Sequence, residues 1–212
     1  MLPNNIFQQH THVGLDLDET LAETFPGLLE YAHKNGQLLM IPSVEHITSY
    51  DFTNIDPSIS LYDARNIWEG FGKSTMHPAT VPIVPFARDG VQRLIDLGLE
   101  ISIITARSDK ESWKVERTKD WVLTHFPEIG SSKIAFVNHF SDDSEPKSGA
   151  CREHGVTLLI DDSIENAYDL SKEGIASIIL EKPWNRDIIF DHPLVYKVKD
   201  WQEIIKYIHA HG

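Results

Sequence analysis

His12-Val13-Gly14-Leu15-Asp16-Leu17-Asp18-Glu19-Thr20-Leu21 is the stretch whose reading decides the fold. Its apolar run from Val13 to Leu17 carries one carboxylate inside it, and a second follows at once. A run of that length, bounded by turn chemistry, reads as a buried strand of a parallel sheet. Ionised carboxylates two residues apart at the carboxyl end of such a strand are costly to bury unless a cation or a phosphate-handling network compensates them. Asp-x-Asp alone also fits an ordinary strand ending in a solvated acidic turn. The choice between the two depends on what the rest of the chain brings to the same place.

Downstream, helical and strand patterns alternate. Phe25, Leu28, Leu29 and Ala32 recur at i, i+3, i+4 and i+7 and predict a helix ending near Asn35-Gly36. Residues 37–85 are irregular and aromatic, with Tyr50-Asp51-Phe52, a helix expected over 58–71, and proline joins at Pro78, Pro82 and Pro85. A crossover between parallel strands needs only about a dozen residues, helix included. The stretch 22–85 far exceeds that and reads as an inserted cap, which divides the chain into a core of 1–21 and 86–212 and a cap of 22–85. Within the core the pattern predicts a helix over 86–97 and a strand over 99–104 that ends in Thr105. A helix over 110–125, capped by Ser108 or Asp109, and a strand over 133–137 follow. An acidic loop leads to Pro146-Lys147, then come a helix over 148–154, a strand over 156–160 ending in Asp161-Asp162, a helix over 164–172 and a fifth strand over 176–180. Trp201, Ile204, Ile205 and Ile208 form one apolar stripe in a last helix. The expected fold is α/β, a parallel sheet covered by helices on both faces.

Composition narrows the function. The 212 residues carry 32 acidic and 19 basic side chains, a formal charge of −13. A nucleic-acid polymer is thereby disfavoured, because binding one rests on neutralising many phosphates with Lys and Arg. A small phosphorylated substrate, held by a local positive site or a metal, is not excluded. The lone cysteine, Cys151, rules out an intrachain disulfide framework, fits a reducing compartment and reads as a bystander thiol. Residues 1–11 have neither a basic region nor an apolar core of a signal peptide, and no apolar run reaches the ~20 residues of a membrane span. A cytoplasmic protein with no membrane partner is expected. His10 and His12 flank the first strand, as incidental residues or as contributors to a metal site.

Parallel sheets gather functional groups at the carboxyl ends of their strands. Asp16 and Asp18 after the first strand, Thr105 after the second and Asp161-Asp162 after the fourth all fall there, and Lys147 can supply positive charge. In this order these groups resemble the four motifs of the haloacid dehalogenase (HAD) superfamily of phosphohydrolases, from Val13 to about Asn166, with the insertion at the position called C1. Ile103-Ile-Thr-Ala-Arg-Ser108, Leu159-Ile-Asp-Asp-Ser163 and Lys182-Pro-Trp-Asn185 resemble the 5′(3′)-deoxyribonucleotidase-like branch. Glu19-Thr20 differs from the Gly-Val that commonly follows the second Asp in that branch, and is similar instead to carboxy-terminal-domain phosphatases of the superfamily. The resemblance implies a HAD-like Rossmannoid three-layer fold with an inserted, mainly helical C1 cap.

It also implies a phosphomonoester hydrolase. A phosphate dianion repels nucleophiles until a divalent metal and fixed donors neutralise it. Asp16 is the candidate nucleophile, through an aspartyl-phosphate, and Asp18 the candidate acid and base. Mg²⁺ suits this all-oxygen set better than Zn²⁺. By the family pattern the Asp16 carboxylate, the Asp18 backbone carbonyl and a fourth-motif carboxylate hold it. Asp162 is favoured as the direct ligand with Asp161 behind it, although spacing does not settle which. Thr105, the backbone of Ala106, Arg107 and Lys147 are candidate phosphate and substrate contacts. Phe25, Tyr50, Phe52, Trp68 and Phe71 offer rings to a nucleotide base, and Trp184 is expected to pack a loop near the site. The expected substrate is a nucleoside monophosphate. A sugar phosphate, a phosphoprotein or a nucleic-acid end is the alternative, and a non-catalytic binding module on the same fold is a further one. Oligomeric state is not legible in the sequence.

Overall fold

The computed structural model describes residues 2–3, 5–74, 81–138 and 146–211. Pro78 and most of the expected acidic loop before Pro146 lie outside them. Six strands, β1 (His12–Leu15), β2 (Glu100–Thr105), β3 (Ile134–Phe136), β4 (Leu158–Asp161), β5 (Ala176–Leu180) and β6 (Val195–Val198), form one sheet in the order β3-β2-β1-β4-β5-β6. Every neighbouring pair is parallel. The chain steps outward from β1 to β2 and β3, then returns to the other side of β1 with β4. Such a reversal of strand order opens a crevice at the carboxyl ends of the central strands.

Side-chain alternation sorts the strands between two layers. Val13, Leu15, Ile101, Ile103, Leu158 and Ile160 join one hydrophobic cluster, with residues of α1 (Thr24–Lys34), α3 (Ala87–Asp96), α4 (Ser112–His125) and α7 (Trp201–His211). Ile104 and Leu159 face the other way, into a smaller cluster with Ala150, Cys151 and Leu170 of α5 (Lys147–Glu153) and α6 (Ile164–Lys172). Gly14 points to this second face. A Cβ there would come within 2.9 Å of both Leu159 and Val156, so no larger residue fits without displacing them. The result is the three-layer α/β arrangement expected from the sequence.

The insertion between β1 and α3 leaves and re-enters at one place. Ala22 bridges Ile83, Glu23 N–H donates to the Pro82 carbonyl, and Val84 N–H to that of Leu21. Between these points lie α1, two short 3₁₀ turns and α2 (Leu61–Lys73), whose N-terminus is closed by a reciprocal Ser60–Asp63 capping box. Phe25, Phe52 and Phe71 are fully buried in the larger cluster.

Three local expectations are corrected. The last helix of the first half starts at Ser112 rather than near residue 110, because Ser108 does not cap it. The Ser108 hydroxyl instead accepts from Lys110 N–H, and Asp109 N–H donates to the Asn138 side chain. The first strand stops at Leu15, short of the expected Leu17, so Asp18 is placed by the turn that follows. The sixth strand was not anticipated: Val195, Tyr196 and Lys197 are only partly buried on a sheet edge, and the short Leu194-Val195-Tyr196 run is broken by Lys197.

Candidate active site

The site grows from the register of β1 and β4. Leu15 pairs with Ile160, and Asp16 N–H donates to the Ile160 carbonyl at 2.9 Å, so Asp16 and Asp161 emerge side by side. Both continue the alternation that places Gly14 and Leu159 on the α5 face. Lys147 opens α5 and lies against them, 3% exposed. Its Nζ donates to Asp16 Oδ1, and to Asp161 Oδ2 at 2.9 Å. Asp161 is held further by Asn166 Nδ2 and by the backbone N–H groups of Asp162 and Ser163. Asp162 completes the group, and one oxygen from each of Asp16, Asp161 and Asp162 lies within 4.8 Å of the others.

Three buried carboxylates therefore face one buried ammonium. Burial pushes the Asp16 carboxyl up to about 7, against the pull of Lys147 and with Asp161 and Asp18 adding to the rise. Burial, with Asp161 and Asp16 beside it, holds Asp162 well above the ordinary carboxylate range. Burial acts to lower Lys147, but Asp16 and Asp161 outweigh it and hold the ammonium above its usual value. The carboxylates outnumber the positive charge available, and all their donor atoms are hard oxygens. A divalent cation of the Mg²⁺ type fits that deficit.

Asp18 sits beside this group but has a different partner. Arg107 grips it in a fork, Nε to Oδ2 at 2.9 Å and Nη2 to Oδ1 at 2.7 Å, while Thr24 Oγ1 donates to Oδ1 at 2.8 Å. Thr118 accepts from the third guanidinium nitrogen. Arg107, a candidate substrate contact from the sequence, is largely buried against Asp18 and still lines the neighbouring cavity. Thr105 ends β2 with no exposed surface, and its hydroxyl accepts from Arg107 N–H at 3.3 Å. Ala106 and Arg107 share with Asp18 the wall of a cavity of about 460 Å³, which Tyr50 and Trp68 of the insertion and Trp113 of α4 also line.

The turn after Asp18 explains the unusual Glu19. This residue has φ 60°, a left-handed conformation that favours glycine. Its buried carboxylate accepts from the Thr24 and Phe25 N–H groups, each at 2.7 Å, and so satisfies the free N-terminus of α1. Burial pushes it up to about 7, against Lys182 4.0 Å away and the two N–H donors.

Other expectations are redistributed. Tyr50 and Trp68 are partly exposed and stacked, with centroids 6.2 Å apart. Phe25 and Phe52 are core, and Phe71, also fully buried in the core, backs the cavity wall. His12 and His10 do not share a site: they hydrogen-bond Ser102 and Thr157 at the amino end of the sheet. Cys151 is buried, and burial pushes its thiol up to about 12, so it is not a nucleophile. Sequence reasoning missed Thr24 and Asn166 as partners of the acidic group. Asn166 had a local signal, since Ser163 begins α6 and accepts from its N–H.

The family comparison adds a decisive observation. The model of the family described as "5′ nucleotidase, deoxy (pyrimidine), cytosolic type C protein" matches residues 10–211. The chain belongs to this family. It is accordingly an enzyme of the phosphatase class on a HAD-like fold. No curated protein matches the chain. Solved structures share its fold at low identity. A haloacid dehalogenase-like hydrolase from Streptococcus pneumoniae has TM-score 0.60 and 15% identity, over 94% of this chain and 99% of that one. A HAD-family hydrolase from Deinococcus radiodurans, with bound phosphate and sodium, has TM-score 0.60 and 13% identity over 96% of each chain. CbbY from Rhodobacter sphaeroides, in complex with phosphate, has TM-score 0.57 and 15% identity, over 94% of this chain and 99% of that one. Among the described residues no helix is long and apolar enough to cross a membrane.

Proposed function

We propose that this member of the nucleotidase family hydrolyses nucleoside monophosphates by a Mg²⁺-dependent reaction through a phosphorylated Asp16. The observation that carries the reading is the buried Asp16 carboxylate, ion-paired to Lys147 at the carboxyl end of the central strand and clustered with Asp161 and Asp162.

In this reading an Asp16 oxygen attacks phosphorus as the ester P–O bond breaks, and the Asp18 carboxyl, protonated on Oδ2 once Arg107 Nε releases that oxygen and still held at Oδ1, gives its proton to the departing oxygen. Asp18, now a carboxylate, takes a proton from water as the water oxygen bonds phosphorus and the acyl-phosphate P–O bond to Asp16 breaks. Asp16, the Asp18 carbonyl and Asp162 would hold Mg²⁺, with Asp161 behind them. The bound cation supplies charge neutralisation on the phosphoryl oxygens. Lys147 adds a fixed positive charge, while the Thr105 hydroxyl and the Ala106 backbone N–H donate to the phosphoryl group. Arg107 orients Asp18 and reaches the substrate side of the cavity.

We assign residues 22–85 to the cap and the remainder to the core, on the strength of the paired exit and re-entry at Ala22 and Ile83. The cap brings Tyr50 and Trp68 to the cavity beside Asp18, and such rings suit the face of a base. Membership of a family described as a deoxy, cytosolic 5′ nucleotidase supports both a deoxynucleotide substrate and a cytosolic location.

Phosphate release from a panel of ribo- and deoxynucleoside monophosphates, sugar phosphates and phosphopeptides, with and without Mg²⁺, tests the proposal. The highest kcat/KM is expected for a nucleotide, with Mg²⁺ required. A preference for sugar phosphates would retire the nucleotide assignment and keep the chemistry. No release from any ester would overturn both.

A further inference from the structure

The Lys182-Pro183-Trp184-Asn185 segment follows β5 and belongs to none of the catalytic strand ends, yet it closes on Asp162 from two directions. Asn185 Nδ2 donates to the Asp162 backbone carbonyl at 2.7 Å and to the Leu180 carbonyl at 2.8 Å. Its Oδ1 accepts from Lys182 N–H at 3.0 Å, so the turn is fastened to itself and to the end of β5. Trp184 takes the side chain: its indole Nε1–H donates to Asp162 Oδ2 at 2.9 Å. Among the described residues no other donor reaches that carboxylate.

Asp162 needs such a hold. Asp16 and Asp161 lie beside it, and their charges disfavour its ionised form. Asp161 is fixed by Lys147, Asn166 and two backbone N–H groups. Without the indole, the Asp162 carboxylate would relieve repulsion by rotating away from its neighbours. A hydrogen bond to one oxygen fixes the torsion and leaves the other oxygen for a cation, the way outer partners orient metal ligands elsewhere. The ring itself cannot swing freely, since it packs against Phe25 and Tyr50 with centroids 5.1 and 5.8 Å away.

We infer that Trp184 is a positioning residue for the metal site, holding the Asp162 carboxylate in its cation-binding rotamer through the indole N–H. The inference rests on the proposed role of Asp162 as a Mg²⁺ ligand. It also links the site to the cap: Trp184 touches Tyr50, which stacks on Trp68 at the cavity wall.

The test is Mg²⁺ affinity, read without turnover by calorimetry and by the Mg²⁺-dependent rise of the melting temperature. Trp184→Phe keeps a ring and removes the donor. The expected result is Mg²⁺ binding weakened about tenfold or more, with kcat recovering at saturating Mg²⁺. Phe126→Leu is the control: it loosens the same hydrophobic cluster at Trp121, away from Trp184 and Asp162, so it should lower the melting temperature and leave Mg²⁺ affinity in place. If Trp184→Phe does not fold, benzothienylalanine installed at position 184 keeps the shape of tryptophan with sulfur in place of N–H, and should give the same weakening. Mg²⁺ affinity within about twofold of the unsubstituted protein in a folded variant would overturn this inference alone. An unsubstituted protein that binds no Mg²⁺ would overturn both the inference and the metal-dependent reading beneath it.

Discussion

Replacing Lys147 by Met exposes the energetic logic of the site. The side chain is 3% exposed and bonded to two carboxylates, themselves 5% and 0% exposed as residues. Met preserves much of the apolar stem and removes the ammonium, so Asp16 and Asp161 lose the cation bonded to both. Breaking a buried ion pair from one side costs about 3–5 kcal/mol, a large fraction of the ~5–15 kcal/mol that a domain has in reserve. The loss should depend on pH. Burial has already raised Asp16 from its ordinary 3.8 to about 7, so its contribution is present below the unfolded value and is lost as pH rises through the folded one. Without Lys147 the carboxyl moves higher still. Below pH 6 it is protonated in both proteins and asks little of the ammonium; at pH 8 only the variant must keep a proton or bury an unpaired charge. Urea unfolding at pH 5.5 and pH 8, without added metal, measures this directly. The expected stability gap is ~3–5 kcal/mol at pH 8 and clearly smaller at pH 5.5. An unchanged midpoint at pH 8, or a loss equal at both pH values, would refute the reasoning.

Two further outcomes follow from the same contacts. Glu19→Gln keeps an acceptor for the Thr24 and Phe25 N–H groups but cannot ionise. Because Glu19 is raised from 4.5 to about 7, the unsubstituted protein should lose stability relative to the variant as pH climbs from 5 to 7, by up to ~1.4 kcal/mol per unit; a pH-independent difference in urea midpoints would count against it. Arg107→Lys keeps the charge but not the fork on Asp18, and kcat/KM for the preferred phosphate ester should fall by about tenfold or more. Unchanged kinetics in that variant would mean the forked pairing is not used.

Much of this architecture was legible because its signals are local and periodic. Apolar strands followed by helices, and acids placed at the ends of strands, announce a parallel sheet with its crevice. Strand alternation carried through Gly14 and Leu159 puts Asp16 and Asp161 on the face that α5 covers with Lys147. What escaped depends on contacts remote in sequence. Arg107 meets Asp18 across 89 positions, and Trp184 meets Asp162 across 22, from a turn after β5 whose sequence has no periodicity. The edge strand β6 was hidden because half-exposed residues need no apolar pattern. The aromatic count of the insertion overstated its binding surface, since Phe25 and Phe52 are consumed in packing. Glu19 looked like a departure in motif; its carboxylate closes the N-terminus of α1, which gives the substitution a structural reason.

The central claim is that Asp16 carries the phosphoryl group. Acid-quenching the enzyme during turnover of its preferred ester with Mg²⁺, followed by peptide mass spectrometry, tests it most directly. The account predicts a phosphoryl adduct on Asp16, absent from a folded Asp16→Asn variant that has also lost turnover. Full turnover by Asp16→Asn, or an adduct on a different residue, would contradict it.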